Sequence, residues 1–244
     1  MAKFNKAELL EDVKDWHNML KKYQVPDTKK AVIQLINSYG IFIGIWILQF
    51  FLFDYSIFWV IGLAILNGFL LGRIFIIQHD CGHKSFLRSR TANDVVGMVS
   101  SFFTFIPYKY WAANHNFHHA HNGQIEHSDI GDIECLTVEQ YTKLTLIDKI
   151  KYRIYRHPLY LFTIGGFFYV AIYNRFAFLK DGVFAKVRHS VKWANILYSI
   201  LYLSIGYIIG FREFFVVQFI NLFFFGTYAL WFFYIQHQYE TVYK

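Results

Sequence analysis

The chain has 244 residues, of which 55% are hydrophobic, 21% aromatic and 17% charged, and its formal net charge is +7. This composition is too apolar for an ordinary water-soluble domain and indicates that lipid surrounds much of the chain. The 24 basic residues are spread along several segments, which argues against a nucleic-acid-binding protein. Contact with anionic lipid headgroups is the interpretation that we favour for this charge.

Four apolar segments are long enough to cross a membrane, which takes about 20 residues of helix. In chain order they cover residues 33–53, 57–77, 193–210 and 214–235. Very short turns, residues 54–56 and 211–213, join the members of each pair. We therefore predict two transmembrane helical hairpins.

The basic residues indicate which side of the membrane the longer segments occupy, because Lys and Arg accumulate in cytoplasmic loops. Nearly all of them precede the first predicted span or lie between Lys84 and Lys192, and Arg212 alone lies in a turn within a hairpin. Residues 1–30 lack the short apolar region of a cleaved secretory signal. We predict a multi-pass protein of the cell membrane, with both termini and the histidine-rich segment on the cytoplasmic side.

The segment between the hairpins, residues 78–192, holds most of the histidines. Its two apolar stretches, residues 95–107 and 158–173, are too short for comfortable spans, so we predict that they lie at the interface or re-enter the membrane. The sequence has neither repeats nor low-complexity linkers. We expect a single domain, residues 1–244, that is all-α: four transmembrane helices plus a cytosolic or interfacial helical region with histidine clusters.

Two histidine clusters have the spacing of residues that share one face of a helix. The first follows the second span, with an i, i+4 pair, and the second has members at i, i+3 and i+4; a further histidine follows the fourth span. An isolated pair could instead hydrogen-bond a loop or cap a helix. A tetrahedral zinc site takes four ligands, so six convergent nitrogens favour two metal ions. The candidate metal ligands are His79, His83, His115, His118, His119 and His237.

Acidic residues near these clusters could accept the second ring N–H of a metal-bound imidazole. Asp80 lies inside the first cluster, and Asp129 and Asp132 follow the second. An ordinary turn or helix N-cap is an equally good interpretation of the last two. His121 and His127 are close in sequence to the second cluster, but we do not include them among the ligands.

The residues from Arg73 to Phe86 resemble the first histidine box of membrane fatty acid desaturases. His115 to His119, with Ala120 and Gly123, resemble the second box. Residues 131–138 resemble the segment that follows it in bacterial acyl-lipid desaturases, and residues 233–240 resemble the stretch on the last span. Family members continue to a third histidine box, which this sequence lacks, so we expect the desaturase domain to be C-terminally incomplete.

The resemblance implies a di-iron centre that uses O2 to remove two hydrogens from an acyl chain and leave a cis double bond. Side-chain acids and bases cannot abstract hydrogen from an alkyl C–H bond, so a redox metal suits this reaction. The resemblance also implies an external electron donor, either ferredoxin or a small cytochrome with its reductase. No catalytic residue beyond the metal ligands is expected.

Three alternatives stay open at this point. A hydroxylase or ketolase with the same histidine boxes could act on another lipid. A truncated, inactive or regulatory desaturase-like protein is favoured by the missing third box, because a metal site needs a complete ligand set. A transporter fits less well, since the histidines lie beyond the helix ends instead of near the bilayer midplane.

Overall fold

The computed structural model describes residues 16–21, 24–121 and 133–236. Within these ranges the regular structure is entirely helical, which confirms the all-α prediction for this part of the chain. A π-helical segment, Tyr160–Gly165, and two short 3-10 helices, Tyr173–Arg175 and Gly182–Lys186, accompany the α-helices. In chain order the α-helices are α1 Trp16–Lys21, α2 Thr28–Leu52, α3 Ile57–Gly82, α4 Arg90–Thr104, α5 Tyr108–His121, α6 Val138–Lys143, α7 Leu146–Arg156, α8 Gly166–Ala171, α9 Arg188–Ile209 and α10 Phe211–Gln236.

Three helices of the described ranges, α2, α3 and α10, are long and apolar enough to cross a membrane. They coincide with the first, second and fourth predicted spans. The third predicted span, residues 193–210, lies in α9, which also takes in the polar residues Arg188, His189 and Lys192 and does not meet the same criterion. A fourth span, and the pairing of the helices into two membrane hairpins, therefore stay predictions.

Local capping sets the helix ends, and this explains where the predicted boundaries were wrong. Helix α2 begins earlier than predicted because the Asp27 carboxylate accepts hydrogen bonds from the backbone N–H groups of Lys29 and Lys30. Helix α3 extends past its predicted end and takes in His79. The residues predicted as the second short turn are helical, and the break lies at Gly210, whose φ of +120° favours glycine.

Helix α3 lies at the centre of the molecule and packs against α2, α4 and α10. The largest apolar core cluster includes Phe42 of α2, Leu71 and Ile74 of α3, and Phe225 of α10. Trp111 of α5 joins the same cluster, so the helix that carries the second group of histidines is fixed to the core. This packing brings α5 to the C-terminal end of α3, where the first group lies.

The two short apolar stretches form helices that pack on the longer ones. Helix α4 covers most of the first stretch and packs along α3. The second stretch forms the π-helical segment and α8, both packed against α10. Gly166 and Gly226 face each other at this contact, and a Cβ atom on Gly226 would lie 2.6 Å from the carbonyl group of Gly166.

Candidate metal centre

Two helix ends supply the histidines of the candidate site. His79 lies in the last turn of α3, and His83 follows as the C-cap residue of that helix. His115 and His119 lie one turn apart on α5. Gly82 faces α5, where a Cβ atom would lie 3.3 Å from the Cβ atom of Ala112, so the absence of a side chain permits close helix contact.

The donor atoms of these four histidines all lie within 4.8 Å of one another. The ring centroids are 4.6 Å apart for His79 and His115, and 5.0 Å apart for His83 and His119. The Nε2 atoms of His115 and His119 approach to 2.9 Å. Two neutral imidazole lone pairs repel at this distance unless a proton or a cation lies between them, so this donor set fits a metal ion.

Asp80 orients one member of the cluster. The Nδ1 atom of His79 lies 2.9 Å from a carboxylate oxygen of Asp80. A carboxylate can only accept, so Nδ1 carries the hydrogen and donates it. That tautomer leaves the Nε2 lone pair of His79 available, which is the arrangement found in many carboxylate–histidine–metal sites.

The electrostatic environment favours the neutral imidazole at two of these histidines, His83 and His115. Burial, followed by repulsion from the rings of His79 and His119, lowers the pKa of His115 to about 2. Burial and then the ring of His79 also lower the pKa of His83, against a smaller opposite effect of Asp80. Neutral imidazole is the metal-binding form.

Gln78 and Tyr108 make hydrogen bonds that hold the two histidine pairs next to each other. Neither residue was among the site residues predicted from the sequence. Gln78 is fully buried; its amide donates to the carbonyl oxygen of Ile106 at 3.1 Å and accepts from the hydroxyl group of Thr104 at 2.6 Å. Tyr108 donates to the carbonyl oxygen of Cys81 at 2.8 Å. A glutamine beside a histidine box, in a largely apolar helix, was the sequence signal that could have indicated the contacts of Gln78.

Other sequence-predicted site residues are placed differently. His118 is on the same helix but is only 3% exposed and is not part of the four-histidine group. Its ring centroid lies 5.7 Å from that of His119 and 5.8 Å from that of Phe233 in α10. His237, Asp129 and Asp132 lie outside the described residues.

The fold and the site define a class of protein: a helical membrane protein with a histidine-rich candidate metal centre at the end of an apolar helix. Comparison with known families gives the assignment. The family model described as fatty acid desaturase matches residues 56–244. The chain therefore belongs to the fatty acid desaturase family, as the histidine boxes predicted.

Individual relatives agree with this assignment. The chain is 34% identical over 218 residues to a fatty acid desaturase of Bacillus subtilis, a match that covers 89% of this chain and 61% of the relative. It is 32% identical over 144 residues to an sn-1 acyl-lipid omega-3 desaturase (ferredoxin) of Synechocystis, covering 56% of this chain and 38% of that protein. The chain thus spans less than two thirds of the length of these relatives. No solved structure matches it.

Proposed function

We propose that this chain is an iron-dependent desaturase that uses O2 to introduce a cis double bond into an acyl chain of a membrane lipid. The convergence of four histidine donor atoms within 4.8 Å, in a member of the desaturase family, is the observation that supports it. When bound, iron supplies the redox chemistry that removes hydrogen from an unactivated methylene group, which no side chain can do alone.

We assign the ligand roles according to the positions of the histidines. His79, His83, His115 and His119 offer enough donors for one ion in a site of this size. For a second iron ion we propose His118 and His237, the remaining members of the sequence-predicted set. We assign Asp80 the role of holding the tautomer of His79, and Asp129 and Asp132 stay candidates for the same role toward other histidines.

Aromatic side chains shield the histidine cluster on its core side. Trp111 is 6% exposed, and its ring stacks on that of His115 with a centroid distance of 4.7 Å and an interplanar angle of 13°. Phe75 packs edge-on against Trp111 at 4.9 Å. These rings exclude water from that side, fix the orientation of His115 and provide an apolar surface beside the site.

The names of the relatives support a substrate class and an electron donor. The Synechocystis relative is named as an acyl-lipid desaturase with ferredoxin, so for this chain we propose a glycerolipid acyl chain and a ferredoxin. A small cytochrome with its reductase is the alternative donor. The net charge of +7 would favour docking of an acidic carrier on the cytoplasmic side. Electron transfer that is insensitive to ionic strength would contradict this part of the proposal.

The test is the metal content of the 244-residue chain, purified in detergent and measured by mass spectrometry. We expect about two iron ions per chain in the unaltered protein. His115→Ala should remove the ion held by the four-histidine group and His118→Ala the second ion, so each variant should retain about one ion per chain. His121→Ala is the matched control, because His121 is on the same helix and outside the four-histidine group. A folded chain without iron would contradict the proposal and favour the inactive or regulatory alternative.

Product analysis separates the two catalytic alternatives. Lipids from cells that express the chain should contain new cis double bonds, and lipids from cells that express His115→Ala should not. Hydroxylated or ketone products in place of double bonds would identify the hydroxylase or ketolase alternative.

A further inference from the structure

Helix α7 has an apolar face that no described residue covers. The exposed fractions of Leu146, Ile147, Ile150 and Ile154 are 74%, 65%, 49% and 52%. At 3.6 residues per turn these four side chains fall within about 100° of arc, which makes one continuous stripe along the helix. No residue of α7 is buried, so the stripe is not part of the core that the described residues form.

The opposite face of α7 attaches the helix to the rest of the protein. The hydroxyl group of Tyr152 accepts a hydrogen bond from the backbone N–H of Leu136 at 3.2 Å. The guanidinium group of Arg156 lies over the ring of Tyr234 in α10, 5.7 Å from its centroid. Because these contacts fix the rotation of α7, its apolar stripe points away from the protein.

Basic side chains border the stripe on both edges. At helical spacing Lys149 and Arg153 lie along one edge and Lys151 along the other. Lys149 donates to the carbonyl oxygen of Thr142 and Arg153 to the hydroxyl group of Tyr141, and neither has a carboxylate partner among the described residues. Asp148 is the one acidic residue of the helix and pairs with Lys151. Long basic side chains in such positions lay their methylene groups on an apolar surface and reach outward with their charge.

The apolar surface continues from α7 toward a candidate span. An open groove of about 480 Å³ has Arg153 and His157 on its wall, together with Ile154, Leu159 and Ile164. Leu159 and Ile164 are exposed. The groove runs into the π-helical segment, which packs against α10. The surface therefore extends from the amphipathic helix to the π-helical segment, which lies beside a helix long and apolar enough to cross the membrane.

We propose that α7 lies in the plane of the membrane, with its apolar stripe in the leaflet and its basic border on anionic phospholipid headgroups. The charges and the apolar side chains together indicate what this face of α7 contacts. A second copy of the chain would bring like charges together, and an acidic protein would match the charges but leave the isoleucine and leucine side chains in water. An anionic leaflet satisfies both features. This inference does not depend on the metal centre.

The depth of α7 in a bilayer can be measured on the full chain with a spin label. The parent variant carries Cys135→Ser, which removes the exposed thiol, and retains the buried Cys81. Ile150→Cys places the label on the stripe, and Asp148→Cys places it on the polar side of the helix, where the Asp148 side chain is 45% exposed, as the matched control. Collision rates with O2, which concentrates in lipid, and with a water-soluble nickel chelate are compared in phosphatidylcholine vesicles with and without phosphatidylglycerol.

With phosphatidylglycerol present, the ratio of O2 to nickel collisions should be severalfold higher for Ile150→Cys than for Asp148→Cys. Adding Lys149→Gln and Arg153→Gln, or omitting phosphatidylglycerol, should reduce that difference. Equal ratios for the two labels would mean that the face lies in water and would overturn the proposal. A label at residue 150 shielded from both reagents would mean that protein covers the stripe. A difference that is unaffected by lipid charge would overturn the assignment to anionic headgroups.

Discussion

The hydroxyl group of Tyr108 donates a 2.8 Å hydrogen bond to the backbone carbonyl oxygen of Cys81. This bond joins the first turn of α5 to the last turn of α3, the two helices that carry the four clustered histidines. Lys84, which has a left-handed φ of +59°, donates to the same hydroxyl group at 3.1 Å and pairs with Asp94 of α4. The separation of the two histidine pairs therefore depends on contacts made by Tyr108.

Tyr108→Phe should weaken metal binding while leaving the chain folded. The variant loses the bond to Cys81 and the acceptor for Lys84, so the histidine pairs are held less firmly. We expect metal affinity to fall about tenfold and stability to fall by about 1 kcal/mol. Iron retention against a competing chelator measures the first effect, and thermal unfolding in detergent measures the second.

Tyr198→Phe is the matched control for this change. It removes a 2.8 Å hydrogen bond to Ser101 between α9 and α4, away from the histidines. Its stability loss should be similar, with metal affinity unchanged. Equal losses of metal by the two variants would show that Tyr108 contributes to stability only.

Asp80→Asn tests whether the carboxylate beside His79 supports metal binding. An asparagine side chain can still accept a hydrogen bond from Nδ1 of His79. It lacks the negative charge that makes this imidazole a stronger metal ligand. We expect about a tenfold loss of metal affinity with little change in unfolding temperature. Asp27→Asn is the control, because asparagine caps a helix about as well as aspartate. Unchanged iron retention in Asp80→Asn would remove Asp80 from the site.

Short-range spacing explains why part of the site could be predicted from the sequence. Histidines four residues apart share a helix face, and the structure places His79 and His115 on helices as that spacing requires. The convergence of the two pairs depends on tertiary contacts, such as those of Gln78 and Tyr108, which join residues far apart in the sequence. His118 is set apart from His119 by helix geometry, because adjacent residues on a helix point about 100° apart, and its buried ring lies 5.8 Å from that of Phe233 in α10.

The fold was predictable where hydropathy alone determines it. The long apolar helices α2, α3 and α10 follow from composition, whereas their exact ends depend on local features such as the Asp27 cap and the break at Gly210. The packing partner of the short stretch that contains Gly166 could not be identified from the sequence. Its position depends on a backbone approach to Gly226, and nothing in the local pattern indicates which helix supplies the partner glycine.

A buried polar cluster among the three apolar helices should contribute to stability. Gln49 of α2 donates to Asn221 of α10 at 3.1 Å and accepts from Asn67 of α3 at 3.3 Å, and all three residues are fully buried. Gln49→Leu would leave the amides of Asn67 and Asn221 without this partner, at a cost of about 1–3 kcal/mol. Thermal unfolding in detergent measures the loss.

Replacing all three residues of the cluster shows whether the stability loss comes from unpaired polar groups or from poor packing of leucine. The triple variant Gln49→Leu, Asn67→Leu and Asn221→Leu removes every member, so no polar group of the cluster is left unpaired. Its destabilisation should be smaller than the sum of the three single changes. Additive losses would indicate that leucine does not fit the space and that hydrogen bonding has little part in the effect.

The contact between Gly166 of α8 and Gly226 of α10 should not tolerate even a methyl group. A Cβ atom on Gly226 would lie 2.6 Å from backbone atoms of Gly166, which cannot move as a flexible side chain can. Gly226→Ala should therefore destabilise the protein by about 1–3 kcal/mol, or lower the unfolding temperature by several degrees. Gly62→Ala is the control on α3, where the new Cβ atom would have no neighbour within 4 Å apart from adjacent residues and the backbone of its own helix. That change should be neutral or stabilise the helix by up to about 1 kcal/mol. Equal unfolding temperatures for the two variants would mean that α8 does not pack on α10 in the membrane protein.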